Sequence, residues 1–165
     1  MKKNIVFLML LFTTFCHAQN TKINVYVMLA EDCPISNYMG KPLSLIAQKY
    51  SQTVAFNAVF PLTNSTTKTT DDFLKKHQLQ KFKVILDSKQ ILSKKLGTTI
   101  TPEAIITDNK GETLYRGRIN DIYISPGKRR HEASTNDLDS NIMKALQGES
   151  IPQPWKTAIG CYITF

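Results

Sequence analysis

The sequence predicts an α/β domain built on a mixed sheet, and three observations carry that prediction. A β-branched apolar run over residues 23–29 is followed by a helix-patterned run to Tyr50 and by a second apolar run over residues 54–60. Strand, helix, strand in that order implies a right-handed parallel crossover. Further along, the apolar run 104–108, the turn Asn109-Lys110-Gly111-Glu112 and the run 113–118 read as a hairpin, which must be antiparallel. After a last helix-patterned run, the chain ends in a segment with Pro152, Pro154 and Trp155 leading to Ile159-Gly160-Cys161-Tyr162-Ile163, an extended tail.

The first strand lacks polar alternation, as expected of a strand buried on both faces. It delivers the chain to the sheet's carboxyl edge at Ala30-Glu31-Asp32-Cys33-Pro34-Ile35-Ser36-Asn37. Proline suits the first position of a helix, where its missing N–H is not needed, and it pushes the preceding residue into an extended conformation. Cys33 is therefore the expected N-cap. A sulfur there faces unpaired amides and the positive end of the helix dipole, which favour thiolate. Glu31 and Asp32 oppose this if their charges lie close. An exposed functional thiol and a buried core cysteine are both compatible with the pattern, and the junction position favours the first.

The helix after Pro34 repeats Leu43, Ile46, Ala47 and Tyr50 on one face, with a kink or irregular first turn expected at Gly40 and Pro42. A polar loop over residues 64–69 precedes a helix expected to start at Thr70-Asp71-Asp72 and to place His77 on a solvated face. Residues 83–87 read as a short extended segment, and residues 90–96 as a helix ended by Gly97. Pro102 stands directly before the hairpin's first strand, where proline is an edge device at minimum. Residues 120–136 are polar, with a turn at Ser125-Pro126-Gly127 and the basic run Lys128-Arg129-Arg130-His131, read as a solvated loop with partner recognition as the alternative. Thr135-Asn136-Asp137 starts a last helix through Leu138, Ile142 and Ala145, ended by Gly148.

Lys2 and Lys3, the apolar run 5–12 and Cys16-His17-Ala18 before Gln19 have the three regions of a secretory signal peptide, so residues 1–18 are expected to be a leader and residues 19–165 one domain. The apolar run is too short for a stable bilayer span. Membrane attachment would require lipidation at Cys16, against which Phe15 argues as a bulky preceding residue. The net charge is +8, and the leader holds two lysines and no acid, leaving +6. That charge is spread without aromatic interleaving, which argues against nucleic acid as a partner. The domain keeps two thiols, Cys33 and Cys161, and two imidazoles, His77 and His131.

Three features together resemble the thioredoxin superfamily: a cysteine opening the first helix after a strand, Thr101-Pro102 before a strand, and the hairpin over residues 105–117. The insertion ahead of Thr101-Pro102 is similar to that of the redoxin branch, which includes the alkyl hydroperoxide reductase/thiol-specific antioxidant proteins. Asp32-Cys33-Pro34-Ile35-Ser36-Asn37, residues 115–121 and Gly160-Cys161-Tyr162-Ile163 resemble secreted redoxin-domain proteins of the periplasm or the cell exterior. The resemblance implies a three-layer sandwich with helices on both faces of the sheet. It implies that Cys33 attacks and that Pro102 is a cis-proline whose neighbouring backbone holds the partner's extended segment. Thr101, Pro34 and Ser36 would then line the partner. It implies no cofactor. The chain departs from the dithiol pattern, with Ser36 at the second cysteine's position and Asp32 in place of tryptophan. It also lacks the threonine and proline that precede a peroxidatic cysteine, since Leu29, Ala30 and Glu31 fill that region, which argues against a peroxidase of the usual kind.

An attack by Cys33 on a protein or small-molecule disulfide needs a resolving thiol, supplied by Cys161 or from outside. The expected cycle is attack by Cys33, resolution by Cys161 and reduction of their disulfide by an external reductant. Three alternatives stand beside it. One is a permanent Cys33–Cys161 staple, worth about 4–5 kcal/mol in the chain-entropy account. Another is a copper(I) site from Cys33, Cys161 and His131. The third is a binding module without chemistry.

Overall fold

The computed structural model describes residues 23–165; the expected leader, with Cys16 and His17, lies outside the described residues. In chain order the elements are β1 (Ile23–Met28), α1 (Pro34–Lys49), β2 (Val54–Phe60), α2 (Thr67–Lys76), β3 (Lys83–Leu86), α3 (Ile91–Leu96), β4 (Ile100–Thr101), β5 (Glu103–Thr107), β6 (Thr113–Gly117), β7 (Tyr123–Ser125), β8 (Lys128–Arg129), α4 (Asp137–Gln147) and β9 (Cys161–Tyr162). The main sheet has the order β3-β2-β1-β5-β6. β1, β2 and β3 run parallel, and β5 and β6 run antiparallel to their neighbours, so the sheet is mixed.

Burial on two faces explains the apolar runs. Val25 and Val27 of β1, Phe56, Ala58 and Phe60 of β2, and Ala104 and Ile106 of β5 pack with apolar residues of α1, α2 and α4 in the larger core. Met28, Val59 and Ile105 face the other way, where Leu92 and Leu96 of α3 cover them. Helices therefore lie on both faces, as in the expected three-layer sandwich.

Four expectations need correction. The strand after Pro102 is not an edge: β5 lies between β1 and β6, and Met28 pairs with Glu103, the residue after the proline. α1 continues through Pro42 from Pro34 to Lys49 without interruption, its buried face from Ile35 to Ala47 holding it against the sheet. α2 starts at Thr67, three residues before the expected start, because Thr66 and Thr69 form a capping box. Within the polar stretch 120–136, Tyr123–Ser125 and Lys128–Arg129 pair as a small antiparallel hairpin around the turn at Pro126 and Gly127.

His77 is also placed differently. It lies at the C-cap of α2 with its ring tilted against Phe73, 4.5 Å between centroids, and stacked onto Gly40 of α1. A methyl group at position 40 would run into the His77 ring and come within 2.7 Å of its Cβ. Gly40 is therefore a packing notch for α2, which accounts for a glycine in mid-helix.

Candidate functional site

Cys33 is the N-cap of α1, in an extended conformation, with Pro34 at the first helical position. The Thr101–Pro102 bond is cis, and Pro102 lies at the same sheet edge because β5 runs antiparallel to β1. The tail completes the site. β9 pairs antiparallel with β4, Cys161 opposite Thr101 and Tyr162 opposite Ile100. Cys161 packs beside Cys33 in one apolar cluster with Ala30, Ile35, Leu62, Tyr123 and Ile159.

That arrangement corrects the expected exposure. Cys33 is only 2% exposed, packed under Leu62, Tyr123 and the returning tail residues Ile159 and Cys161. Both cysteines are free thiols. In its neutral form the Cys33 thiol donates to the Thr101 carbonyl at 3.4 Å. Thr101 in turn donates its hydroxyl to the Cys161 carbonyl at 3.4 Å. Of the remaining predicted residues, Pro34 is exposed and Ser36 is fully buried, its Oγ accepting the Ala30 N–H at 3.2 Å.

The two thiols are tuned in opposite directions. Burial pushes the Cys33 thiol up, but hydrogen bonds from the Cys161 thiol, the Ser36 amide and hydroxyl and the Ile35 amide outweigh it and hold Cys33 below the ordinary thiol range. Cys161 is pushed up to about 12 by its burial, by its bond to Cys33 and by the negative charges of Cys33 and Asp32. The two acids ahead of Cys33 do not act on it as feared. Glu31 turns away and accepts the Ser65 and Thr69 hydroxyls at 2.8 and 2.7 Å, and the field of Asp32 falls on Cys161.

Asn37 braces this turn. Its Nδ2 donates to the Glu31 and Cys33 carbonyls at 2.8 and 3.1 Å. Its Oδ1 accepts Lys76 Nζ at 2.8 Å and lies 3.1 Å from His77 Nε2. Tyr123 contacts the Cys33 cluster, and its ring meets Tyr38 edge-on with Arg129 over the Tyr38 ring. Sequence reading missed both. Asn37 is a helix residue like any other on pattern grounds, whereas the Tyr-Ile pair before Ser125-Pro126-Gly127 could have signalled a hairpin strand.

The proposed three-ligand metal site does not assemble. His131 is 98% exposed on its side chain, and among the described residues no three His, Cys, Asp or Glu side chains gather in a cluster that could hold a metal ion.

No protein-family model matches the sequence and no curated relative does. Solved structures do match. A hypothetical protein from Sinorhizobium meliloti 1021 superimposes with a TM-score of 0.73 at 21% identity, over 86% of this chain and 78% of that one. An uncharacterized conserved protein from Geobacillus kaustophilus gives 0.70 at 20% identity, over 87% and 77%. A secreted Mycobacterium tuberculosis disulfide oxidoreductase homologous to Escherichia coli DsbE gives 0.55 at 16% identity, over 76% and 83%. With its mixed sheet and helices on both faces, the chain has the thioredoxin-like fold.

Proposed function

We propose that the protein is an extracytoplasmic thiol–disulfide oxidoreductase in which Cys33 attacks and Cys161 resolves. The single observation that carries this reading is the packing of two free thiols, Cys33 and Cys161, against each other at the N-terminus of α1, and their opposite electrostatic tuning supports it. In the proposed cycle the Cys33 thiolate attacks one sulfur of a partner disulfide. A Cys33–partner disulfide forms, and the partner's other sulfur leaves as a thiolate. Cys161 then loses its proton and attacks the Cys33 sulfur, giving Cys33–Cys161 and releasing the second partner thiolate. The partner has gained two electrons. An external dithiol or thiol pair returns two electrons to the protein.

The tuning supports that order. While Cys33 is a thiolate, its charge and hydrogen bond keep Cys161 protonated. Once Cys33 is in a mixed disulfide that charge is gone, and the thiol that must act second becomes easier to ionise. The leader pattern at residues 1–18 and the secreted character of one structural neighbour support a location outside the cytoplasm. The complete burial of Cys33 favours a second reading, a Cys33–Cys161 staple.

The test is trapping. With Cys161→Ser, incubation with a disulfide substrate accumulates a Cys33–substrate adduct in the mass spectrum, whereas the wild-type chain shows the internal disulfide and free product thiols. Absence of any adduct at Cys33 would contradict the enzyme reading. N-terminal sequencing of protein exported by a bacterial host checks the leader, with Gln19 as the expected first residue.

A further inference from the structure

The tail does more than bring Cys161 to Cys33. It fills a strip along β4 with a defined chemical pattern. Gly160 lies so close to the Thr101 carbonyl that a Cβ would collide with that oxygen and approach the Ile100 side chain to 2.8 Å. Cys161 and Tyr162 make the strand pairing. Ile159 lines a narrow crevice with Pro102, Met39, Ile119 and Tyr123. On the other side of the cysteine, Ile163 is 5% exposed and its N–H donates to the Thr99 carbonyl at 2.9 Å. Tyr162 between them is 79% exposed and touches little. A last latch is the bond from Gln90 Nε2 to the Thr164 carbonyl at 2.7 Å.

Ile159 and Cys161 of the tail pack over the buried Cys33 thiol, so no disulfide can reach Cys33 while the tail is seated. When it lifts, the edge of β4 is left with unpaired backbone groups beside the Cys33 sulfur. Such an edge takes up another extended segment, with backbone bonds giving affinity and the flanking pockets giving selectivity. We propose that the tail is a self-occupant of the partner's docking strip, and that the preferred partner is an extended polypeptide segment of the pattern aliphatic-Gly-Cys-any-aliphatic, its cysteine held in a disulfide. Glycine before the cysteine is set by the Thr101 carbonyl, and the aliphatic positions by the sites of Ile159 and Ile163. Tail and partner exclude each other. Resolution is then the tail's return, as Cys161 takes the place of the partner cysteine on the strip.

The proposal rests on Cys33 being the attacking thiol, and its test separates the two. Two full-length variants act on separate anchors: Gly160→Ala drives a methyl group into the Thr101 carbonyl, and Ile163→Ser removes the apolar anchor. With circular dichroism unchanged in at least one of them, alkylation of Cys33 by iodoacetamide is expected to rise at least about tenfold over wild type, the scale of one or two lost backbone hydrogen bonds. An unchanged rate overturns the gate, whatever the protein's oxidoreductase activity. Recognition is read with Gly160→Ala carrying Cys161→Ser and the peptide Ala-Ile-Gly-Cys-Tyr-Ile-Thr-Phe as its mixed disulfide with glutathione. The Cys33 thiolate attacks the peptide sulfur, the Cys33–peptide disulfide forms and glutathione leaves as its thiolate. This adduct is expected to form about tenfold faster than with the peptide carrying alanine before cysteine. Equal rates overturn the proposed pattern, even where Cys33 reacts with both.

Discussion

The two halves of the site are built from opposite kinds of structure. Cys33 stands between an interior strand and a 16-residue helix, its turn tied by Asn37 and Ser36. Cys161 stands on a two-residue strand at the end of an irregular segment, held by a short pairing, the Thr101 hydroxyl, the Ile163 amide and one bond from Gln90. A segment with so few bonds belongs to the low-stability end of a fold, and a helix N-terminus packed on a central sheet belongs to the high end. The comparison teaches a division of labour. The thiol that must be charged sits where amides are fixed, and the thiol that must come and go sits where little has to break.

Substituting the thiols separates the halves most sharply. Cys33→Ser is expected to lose disulfide exchange down to the uncatalysed background. Cys161→Ser keeps the first half-reaction and loses turnover, read as one substrate thiol released per chain. Next in size is Ser36→Ala, which removes a hydroxyl donor from the Cys33 thiolate and leaves the buried Ala30 N–H without its partner. The expected outcome is a rise in the pH midpoint of Cys33 alkylation, with a stability loss of about 1–3 kcal/mol in urea unfolding. In the wild-type chain the midpoint is expected below the ordinary thiol range, because the hydrogen bonds to Cys33 outweigh its burial. Gly40→Ala perturbs only the fixed half, by forcing the His77 ring away from α1; it is expected to cost about 1–3 kcal/mol in urea unfolding.

The smallest effect is electrostatic. Burial, then the neighbouring Lys76, holds the His77 imidazole below its ordinary value of 6.5. Between its folded value and 6.5 the unfolded chain binds more protons, so stability rises with pH through that window and is lost on acidification. His77→Gln should flatten this part of the stability–pH curve, measured by urea midpoints at closely spaced pH values. The tail-borne Cys161 should not respond.

What could be read from the sequence follows the same division. The strands at residues 23–29 and 54–60, the proline after Cys33, the hairpin after Pro102 and the last helix's start at Asp137 and end at Gly148 are local patterns, and the structure has all of them, although Asn136 makes no side-chain cap bond. Pro34 announced the N-cap because the steric reason acts on the adjacent residue. The burial of Cys33, the β4–β9 pairing and the notch between Gly40 and His77 join residues far apart in sequence. Two-residue strands carry no periodicity, and a glycine that answers a ring 37 positions later looks like a helix breaker. The exposure of Cys33 was misjudged for that reason: nothing local says that the tail comes back over it.

The most direct test of the central claim is the state of Cys33 and Cys161 across a graded thiol–disulfide redox buffer, read by alkylation and mass spectrometry of the mature protein. The account predicts a Cys33–Cys161 disulfide that forms and breaks reversibly within the range of known exchange proteins, about −120 to −270 mV. A bond that survives well below about −300 mV would make the pair a staple. Two thiols that stay free and unreactive at every potential would contradict the redox account altogether.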